Sequence, residues 1–367
     1  MYKILISGYY GFNNIGDESI LLAVVNGLKT RLDDIEITVL SRDPENTANK
    51  YNVKSVDRKS VKDIFIAVKR CDLIISGGGS LLQDVTSKKS IWYYLMLMKL
   101  ALLMRKKVFI YSQGMGPINS KINRWATART LRKVSGIVVR DEASKEMLAE
   151  IGVPEENVIV TADPVLRVKQ ADKSRGRGIL MEEGFKHIDG KITVGWAIKE
   201  RKVKSSFVDE VEKAMRRLID EYDAQIVLIP FHYDEDIAVI DELQSRLGNS
   251  VYCLKHKYLT NEMLSIIGNM DVLVGVRLHS LIYAAIMDVP MIAVSYDPKI
   301  NSFMKSIGMK AMCSVYDFNS SYFIEEFEKT IAYQNKIKDN LKAKLEILIR
   351  KLDTNEEMIR KIMKGDV

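Results

Sequence analysis

The sequence predicts an α/β protein built from two lobes, each a parallel sheet with crossover helices. Three observations carry this. The 367 residues exceed what one hydrophobic core ordinarily organises. Short β-branched runs alternate with longer amphipathic stretches, the pattern of parallel strands joined by helices. The alternation stops after Pro164 and restarts at Ile192.

In the first half, strand-like runs fall at residues 3–7, 36–40, 73–76, 107–112, 136–139 and 157–161. Helix-like stretches fall between them at 18–31, 61–69, 123–133 and 143–151. The segment 167–190 is polar, with Arg175-Gly176-Arg177-Gly178 at its centre, and reads as a linker. Strands are then predicted at 192–196, 225–230, 251–254, 272–275 and 291–294, with helices at 207–222, 235–247, 260–269 and 280–287. The chain beyond 320 reads helical and highly charged. The predicted division is a Rossmann-like domain over 1–167, a linker over 168–190, a second Rossmann-like domain over 191–320 and a helical segment over 321–367. Two such lobes resemble the GT-B architecture, in which ligands bind beyond the carboxyl ends of the strands. The active site is therefore expected in the inter-lobe cleft.

Composition narrows the function classes. At 47% hydrophobic and 28% charged, without low-complexity stretches, the chain is expected to fold rather than stay disordered. Cys71, Cys253 and Cys313 are far apart and odd in number, which reads as buried reduced thiols; no CxxC pair suggests a zinc knuckle. The start is too quickly polar for a signal peptide, so a cytoplasmic protein is expected. The most apolar run, 91–104, falls short of the roughly 20 residues a membrane span needs, and it contains Lys99. It reads as a helix buried against a sheet. The alternative is a peripheral contact with the inner face of the membrane, with Arg105, Lys106 and Lys107 at its end. The net charge of +7 suits anionic partners, but no basic run interleaves with aromatics as a nucleic-acid groove needs.

The chemistry-bearing residues follow predicted strands. The first strand runs into Gly8-Tyr9-Tyr10-Gly11-Phe12-Asn13-Asn14-Ile15-Gly16-Asp17-Glu18, a tight turn opening a helix. It is no GxGxxG fingerprint, and no acidic residue ends the second strand as a nicotinamide site requires. Asp17 and Glu18 either meet a ligand or cap the helix. The next cluster, Ser76-Gly77-Gly78-Gly79-Ser80, offers unobstructed backbone N–H groups to a phosphate, carboxylate or sugar hydroxyl. The Lys and Ser/Thr of a P-loop do not follow it, which argues against ATP hydrolysis. A third glycine loop, Ser112-Gln113-Gly114-Met115-Gly116-Pro117, follows another strand. Arg140 ends the strand at 136–139 and suits a planar anion, unless it pairs with Asp141 or Glu142 at the surface. In the second lobe, Gly275-Val276-Arg277-Leu278-His279-Ser280 combines a strand end, a helix N-terminus, an arginine and a histidine. A helix N-terminus favours neutral imidazole until a bound anion restores the proton. His187 and His256 read as solvated, and His232 lies at the same edge. Lys299, in Ser295-Tyr296-Asp297-Pro298-Lys299, also emerges there.

These motifs together, with Gln83-Asp84 and Asp163-Pro164, closely resemble a polysaccharide pyruvyl transferase of the CsaB type over roughly residues 3–310. The resemblance implies phosphoenolpyruvate as donor and a lipid-diphosphate-linked disaccharide ending in N-acetylmannosamine as acceptor. The product it implies is a 4,6-linked pyruvate ketal, the wall group recognised by S-layer homology domains. Carried over by position, Arg140, His279 and Lys299 are catalytic, and Arg140, Arg277, Lys299, Gly77, Gly78 and Gly79 bind the donor. Asn14, Asp17, Glu18, Asp84 and Gln113 are candidates for the acceptor. The donor's carboxylate and phosphate call for several cations. His279 is the expected general acid, and Asp17 or Asp84 the candidate base. Neither metal nor cofactor is expected. Two rivals stand: a GT-B nucleotide-sugar glycosyltransferase, and a non-catalytic polysaccharide binder. The second would display exposed aromatics, whereas Trp92, Trp125 and Trp196 fall on core-like segments.

Overall fold

A computed structural model describes residues 1–85, 89–199 and 205–366. It divides into two compact units, Met1–Val168 with Leu348–Val367, and Lys169–Ile347.

The first unit runs β1 (Tyr2–Ser7), α1 (Ile15–Arg31), β2 (Ile35–Ser41), α2 (Pro44–Tyr51), β3 (Lys54–Asp57), α3 (Val61–Arg70), β4 (Leu73–Gly77), α4 (Ser90–Leu103), β5 (Lys107–Gln113), α5 (Lys121–Leu131), β6 (Gly136–Val139), α6 (Glu142–Glu150) and β7 (Val158–Val160). All seven strands are parallel, in the order β3-β2-β1-β4-β5-β6-β7. Ile4, Leu5 and Ile6 of β1 and Leu73, Ile74 and Ile75 of β4 are buried on both faces, as strands covered by helices must be. The strand order reverses between β1 and β4. In open parallel sheets that reversal leaves a crevice at the carboxyl edge.

The second unit runs α7 (Lys173–Glu182), β8 (Thr193–Ala197), α8 (Ser205–Tyr222), β9 (Gln225–Leu228), α9 (Tyr233–Leu247), β10 (Val251–Cys253), α10 (Thr260–Ile267), β11 (Val272–Gly275), α11 (Leu278–Ile286), β12 (Met291–Ser295), α12 (Pro298–Ser306), β13 (Cys313–Ser314) and α13 (Ser320–Ala332). Its six parallel strands are ordered β10-β9-β8-β11-β12-β13, so the reversal lies between β8 and β11. Helix α14 (Gln334–Lys351) then carries the chain back to α15 (Asp353–Lys364) of the first unit.

Several expectations need correction. The stretch read as a linker, 168–190, carries α7, which packs on α10. A Cβ on Gly176 would collide with the Ser265 backbone, and the Gly176 N–H meets Ser265 Oγ at 2.5 Å. The glycines that suggested a linker are thus partly a close-packing requirement. The 321–367 segment is also not one body, because α15 docks on the first unit. There Glu356, fully buried, accepts from Arg167 at 2.8 Å and from the Tyr111 hydroxyl, and Asn355 donates to Ser112 Oγ at 2.8 Å. Of the tryptophans, Trp196 is core, but Trp125 is 59% exposed. Helix α4 buries Tyr94 and Leu97 and exposes Met96 and Leu103, so it is half core and half surface. Among the described residues no helix is long and apolar enough to cross a membrane. Cys71 and Cys253 are buried and Cys313 half-buried; burial pushes their thiols up, to about 11 for Cys71 and about 12 for the other two.

Candidate active site

At the first unit's reversal point the glycine loops after β1 and β4 face one another across neighbouring strands. Asn14 caps α1, accepting from the Gly16 N–H at 3.1 Å. Glu18 accepts from the Gly11 N–H at 2.9 Å, from Lys50 at 3.3 Å and from the Tyr51 hydroxyl. Both proposed acceptor ligands are therefore used to hold the turn. Gly77, Gly78 and Gly79 are buried rather than presented to solvent. Gly78 and Gly79 have φ of +48° and +69°, which L side chains rarely adopt. A Cβ on Gly78 would overlap Ile20, and one on Gly79 would stand 3.1 Å from Asp17 Oδ1. The Gly78 N–H already donates to the Tyr111 carbonyl at 3.2 Å. Close packing of α1 against this loop is what the glycines permit, and it brings the Asp17 carboxylate to the loop.

Asp84 also has a structural task. It accepts from the Asn119 and Ser120 N–H groups at 2.7 and 2.9 Å and from Asn123 Nδ2 at 2.9 Å, fixing the start of α5. Gln113, fully buried, accepts from Ser76 Oγ at 3.0 Å, while its Nε2 lacks a hydrogen-bond partner among the described residues. The preceding Ser112 holds φ +41° where β5 shifts register against β6. A strained, buried residue beside an unsatisfied amide marks a place where packing was not the only constraint.

Arg140, at the end of β6, joins these loops. Its Nη1 donates to Asp163 at 3.1 Å, its Nε to Asp141 at 3.3 Å and its Nη2 to Ser80 Oγ at 3.2 Å. A Cβ on Gly114 would lie 2.7 Å from the guanidinium carbon, so glycine there is what lets the cation sit. Burial opposes the charge, but Asp163 and Asp141 outweigh it and hold the guanidinium above its ordinary pKa. The two aspartates are themselves helix caps: Asp141 accepts from the Ser144 N–H at 2.8 Å, and Asp163 from the Val165 N–H at 3.1 Å with Pro164 next to it.

The second unit's reversal point is furnished with side chains instead. Arg277 occupies the N-cap position of α11, and His279 lies on that helix's first turn. Arg277 donates to both oxygens of Asp236, with Nε to Oδ2 at 3.0 Å, and to Glu235 at 3.0 Å. Asp236 is fully buried and also accepts from the N–H groups of Phe231 and His232, at 3.1 and 2.9 Å. Burial opposes the Arg277 charge; Asp236 foremost and then Glu235 hold its pKa above the ordinary value. His232 Nδ1 lies 3.1 Å from Glu235. Asp297 caps α12, accepting from the Lys299 N–H at 3.1 Å, and Lys299 Nζ stands 3.5 Å from its carboxylate.

Lys199, which sequence reasoning missed, completes this edge. It lies two residues past β8, and its Nζ lies 3.9 Å from Glu235 and 5.0 Å from the centre of the Tyr296 ring; Lys299 approaches the same ring at 5.7 Å. The available signal was a cation just past the strand that flanks the reversal. The edge thus offers two imidazoles, two loosely paired ammonium groups and one guanidinium fixed by carboxylates.

A family model described as polysaccharide pyruvyl transferase matches residues 14–298. The chain belongs to the polysaccharide pyruvyl transferase family. It is 22% identical over 372 residues to the amylovoran biosynthesis protein AmsJ of Erwinia amylovora, covering 85% of this chain and 88% of that protein. Members transfer pyruvyl groups to polysaccharide, which makes this chain a transferase of that kind. Its fold is that of the GT-B proteins. S. aureus MnaA with UDP superposes with a TM-score of 0.68 at 13% identity, over 99% of this chain and 96% of that one. Anabaena HepE in complex with UDP and glucose gives 0.66 at 12% identity over the whole of both chains. The UDP-GlcNAc 2-epimerase of Neisseria meningitidis gives 0.65 at 13% identity, over 99% of this chain and 100% of that one. At such identities the likeness concerns the fold.

Proposed function

We propose that this pyruvyl transferase moves the enolpyruvyl group of phosphoenolpyruvate onto a terminal N-acetylmannosamine of a lipid-diphosphate-linked disaccharide, as a 4,6-ketal, with release of phosphate. The observation that carries the reading is His279 on the first turn of α11, at the reversal edge that also holds Lys199, Lys299 and the braced Arg277, in a chain of this family. His279 protonates the methylene carbon of the donor, and the neighbouring carbon becomes oxocarbenium-like. One sugar hydroxyl adds there; its proton is taken up by a base, for which Asp17 and Asp84 are the candidates. The carbon–oxygen bond to phosphate breaks, and the second hydroxyl closes the ring. One hydroxyl proton replaces that given to the methyl group, and the other leaves with phosphate. Lys299 and Lys199 supply loosely compensated positive charge for the donor's anions. Arg140 and Arg277 offer guanidinium groups fixed in place, each nearly neutralised by two carboxylates. Phosphate release from phosphoenolpyruvate that depends on the acceptor tests the proposal. Consumption of a nucleotide sugar instead would favour the glycosyltransferase rival.

For the lipid-linked substrate we propose a peripheral contact through α4 and α5, which pack side by side. Met96 and Leu103 of α4 and Ile122 and Trp125 of α5 are exposed at 64, 82, 66 and 59%. Lys99 lies 5.2 Å from the Trp92 ring and Arg129 5.4 Å from the Trp125 ring. Exposed apolar groups beside cations suit an anionic leaflet at the inner face of the membrane. Arg105, Lys106 and Lys107 follow Leu103 at the end of the same helix. They connect α4 to the start of β5, at the sheet edge opposite the glycine loops.

A further inference from the structure

An aromatic pocket in the first unit has no part in the chemistry above. It lies past the carboxyl ends of β1 and β3, at the edge that carries the glycine loops. Phe12, Tyr93, Arg58, Lys59, Val61 and Ile64 line a cavity of about 470 Å³, within the usual range of about 300–1,000 Å³ for small-molecule sites. Tyr9 and Phe12 stack with ring centres 4.0 Å apart. The Arg58 guanidinium lies among four rings, 4.6 Å from Tyr93, 5.0 Å from Phe12 and 5.8 Å from both Tyr9 and Tyr94. It donates to the Gly8 carbonyl at 3.1 Å and to the Tyr94 hydroxyl at 3.4 Å. The Tyr93 hydroxyl in turn donates to the Arg58 carbonyl at 3.2 Å.

The contrast with the other site arginines is one of charge. Arg140 and Arg277 each meet two carboxylates. Among the described residues neither the Arg58 guanidinium nor the Lys59 ammonium forms an ion pair with a carboxylate, while the Asp57 carboxylate accepts from the Lys59 backbone N–H at 2.9 Å. Lys59 is exposed and Arg58 half-buried; a half-buried cation without a counter-ion is incomplete until an anion arrives, and aromatic faces prefer the apolar face of a pyranose. The α3 turn that lines the cavity also exposes Val61 at 81% and Phe65 at 47%, an apolar lip.

We propose that this pocket binds the glycosyl diphosphate of the lipid-linked acceptor: Phe12 and Tyr93 take the proximal sugar, Arg58 and Lys59 the diphosphate, and Val61 with Phe65 the first isoprene units. The assignment rests on the acceptor class proposed above, but it is tested by binding alone. Farnesyl-diphosphate-linked N-acetylglucosamine is titrated into the full-length protein by calorimetry. Wild type binds. Lys59→Gln and Phe12→Leu each weaken binding about ten-fold, the order expected when a charge-assisted contact or a ring face is lost, and Lys62→Gln outside the cavity changes nothing. Retained affinity in folded Lys59→Gln and Phe12→Leu overturns the assignment. So does equal affinity for UDP-N-acetylglucosamine, which would make the site one for nucleotides. Absent ketal synthesis with intact, Lys59-dependent binding would instead overturn the proposed reaction and leave this site standing.

Discussion

The two reversal edges solve the same problem with different materials. Each unit places an arginine at a strand end and fixes it with two carboxylates, Asp163 and Asp141 for Arg140, and Asp236 and Glu235 for Arg277. Around Arg140 the surroundings are backbone and small polar groups: glycine loops, Ser80 and the amide of Gln113. Around Arg277 they are titratable side chains: His279 on the adjoining helical turn, Lys199, Lys299 and His232. A backbone edge recognises shape and hydroxyls, since its donors carry no proton to give. An edge of imidazole and ammonium groups holds anions and moves protons. On this comparison, proton donation to the donor belongs to the second unit.

The largest break in the comparison is expected at His279. His279→Ala should keep the fold and lower turnover by about 10²–10⁴-fold, the usual loss of a general acid. Near-normal turnover in a folded variant would move the chemistry to the other edge. Next comes Asp236. Asp236→Ala leaves Arg277 with Glu235 alone, and breaking a buried pair by removing one partner costs about 3–5 kcal/mol. Denaturant unfolding should report a loss at the lower end of that range, because Glu235 remains. Unchanged stability would mean that Arg277 is not braced as described.

A smaller effect separates charge from architecture. Lys299→Ala and Lys199→Ala should each raise KM for the donor, with a loss of about 1.5–3 kcal/mol, and leave KM for the acceptor unchanged. A change confined to the acceptor would remove both lysines from the donor's site. The smallest effect concerns α4 and α5. Each cation near an anionic surface contributes about 1 kcal/mol, falling with salt. Lys99→Gln with Arg129→Gln should therefore weaken binding to vesicles containing phosphatidylglycerol, measured by co-sedimentation. Unchanged co-sedimentation would refute this face.

Strand ends were legible in the sequence because β-branched runs stop abruptly at glycine or a charged residue, as at Ser7-Gly8, Gly77-Gly78 and Gly275-Val276. The site residues on those ends were legible with them. The short polar β3, Lys-Ser-Val-Asp, was not read, since an edge strand with one apolar residue has no periodicity to detect. Arg58 escaped notice with it. Asp141 was legible as a neighbour of Arg140, but the distant partners of the arginines were hidden: Asp163 is 23 residues from Arg140, and Asp236 is 41 from Arg277, separations that only folding closes. Those pairings explain why the candidate roles of Asn14, Glu18 and Asp84 shift toward local structure. Each has a backbone donor nearby that a single sequence does not reveal.

The most direct test of the central claim follows the donor's carbons. Phosphoenolpyruvate labelled with carbon-13 at C2 is incubated with the protein and the lipid-linked acceptor in deuterium oxide, and the product is read by NMR. The account predicts a ketal carbon bonded to two sugar oxygens and a methyl group carrying one solvent deuterium, with one phosphate released per ketal. A product that keeps its methylene group, or donor left intact while a nucleotide sugar is consumed, would contradict it.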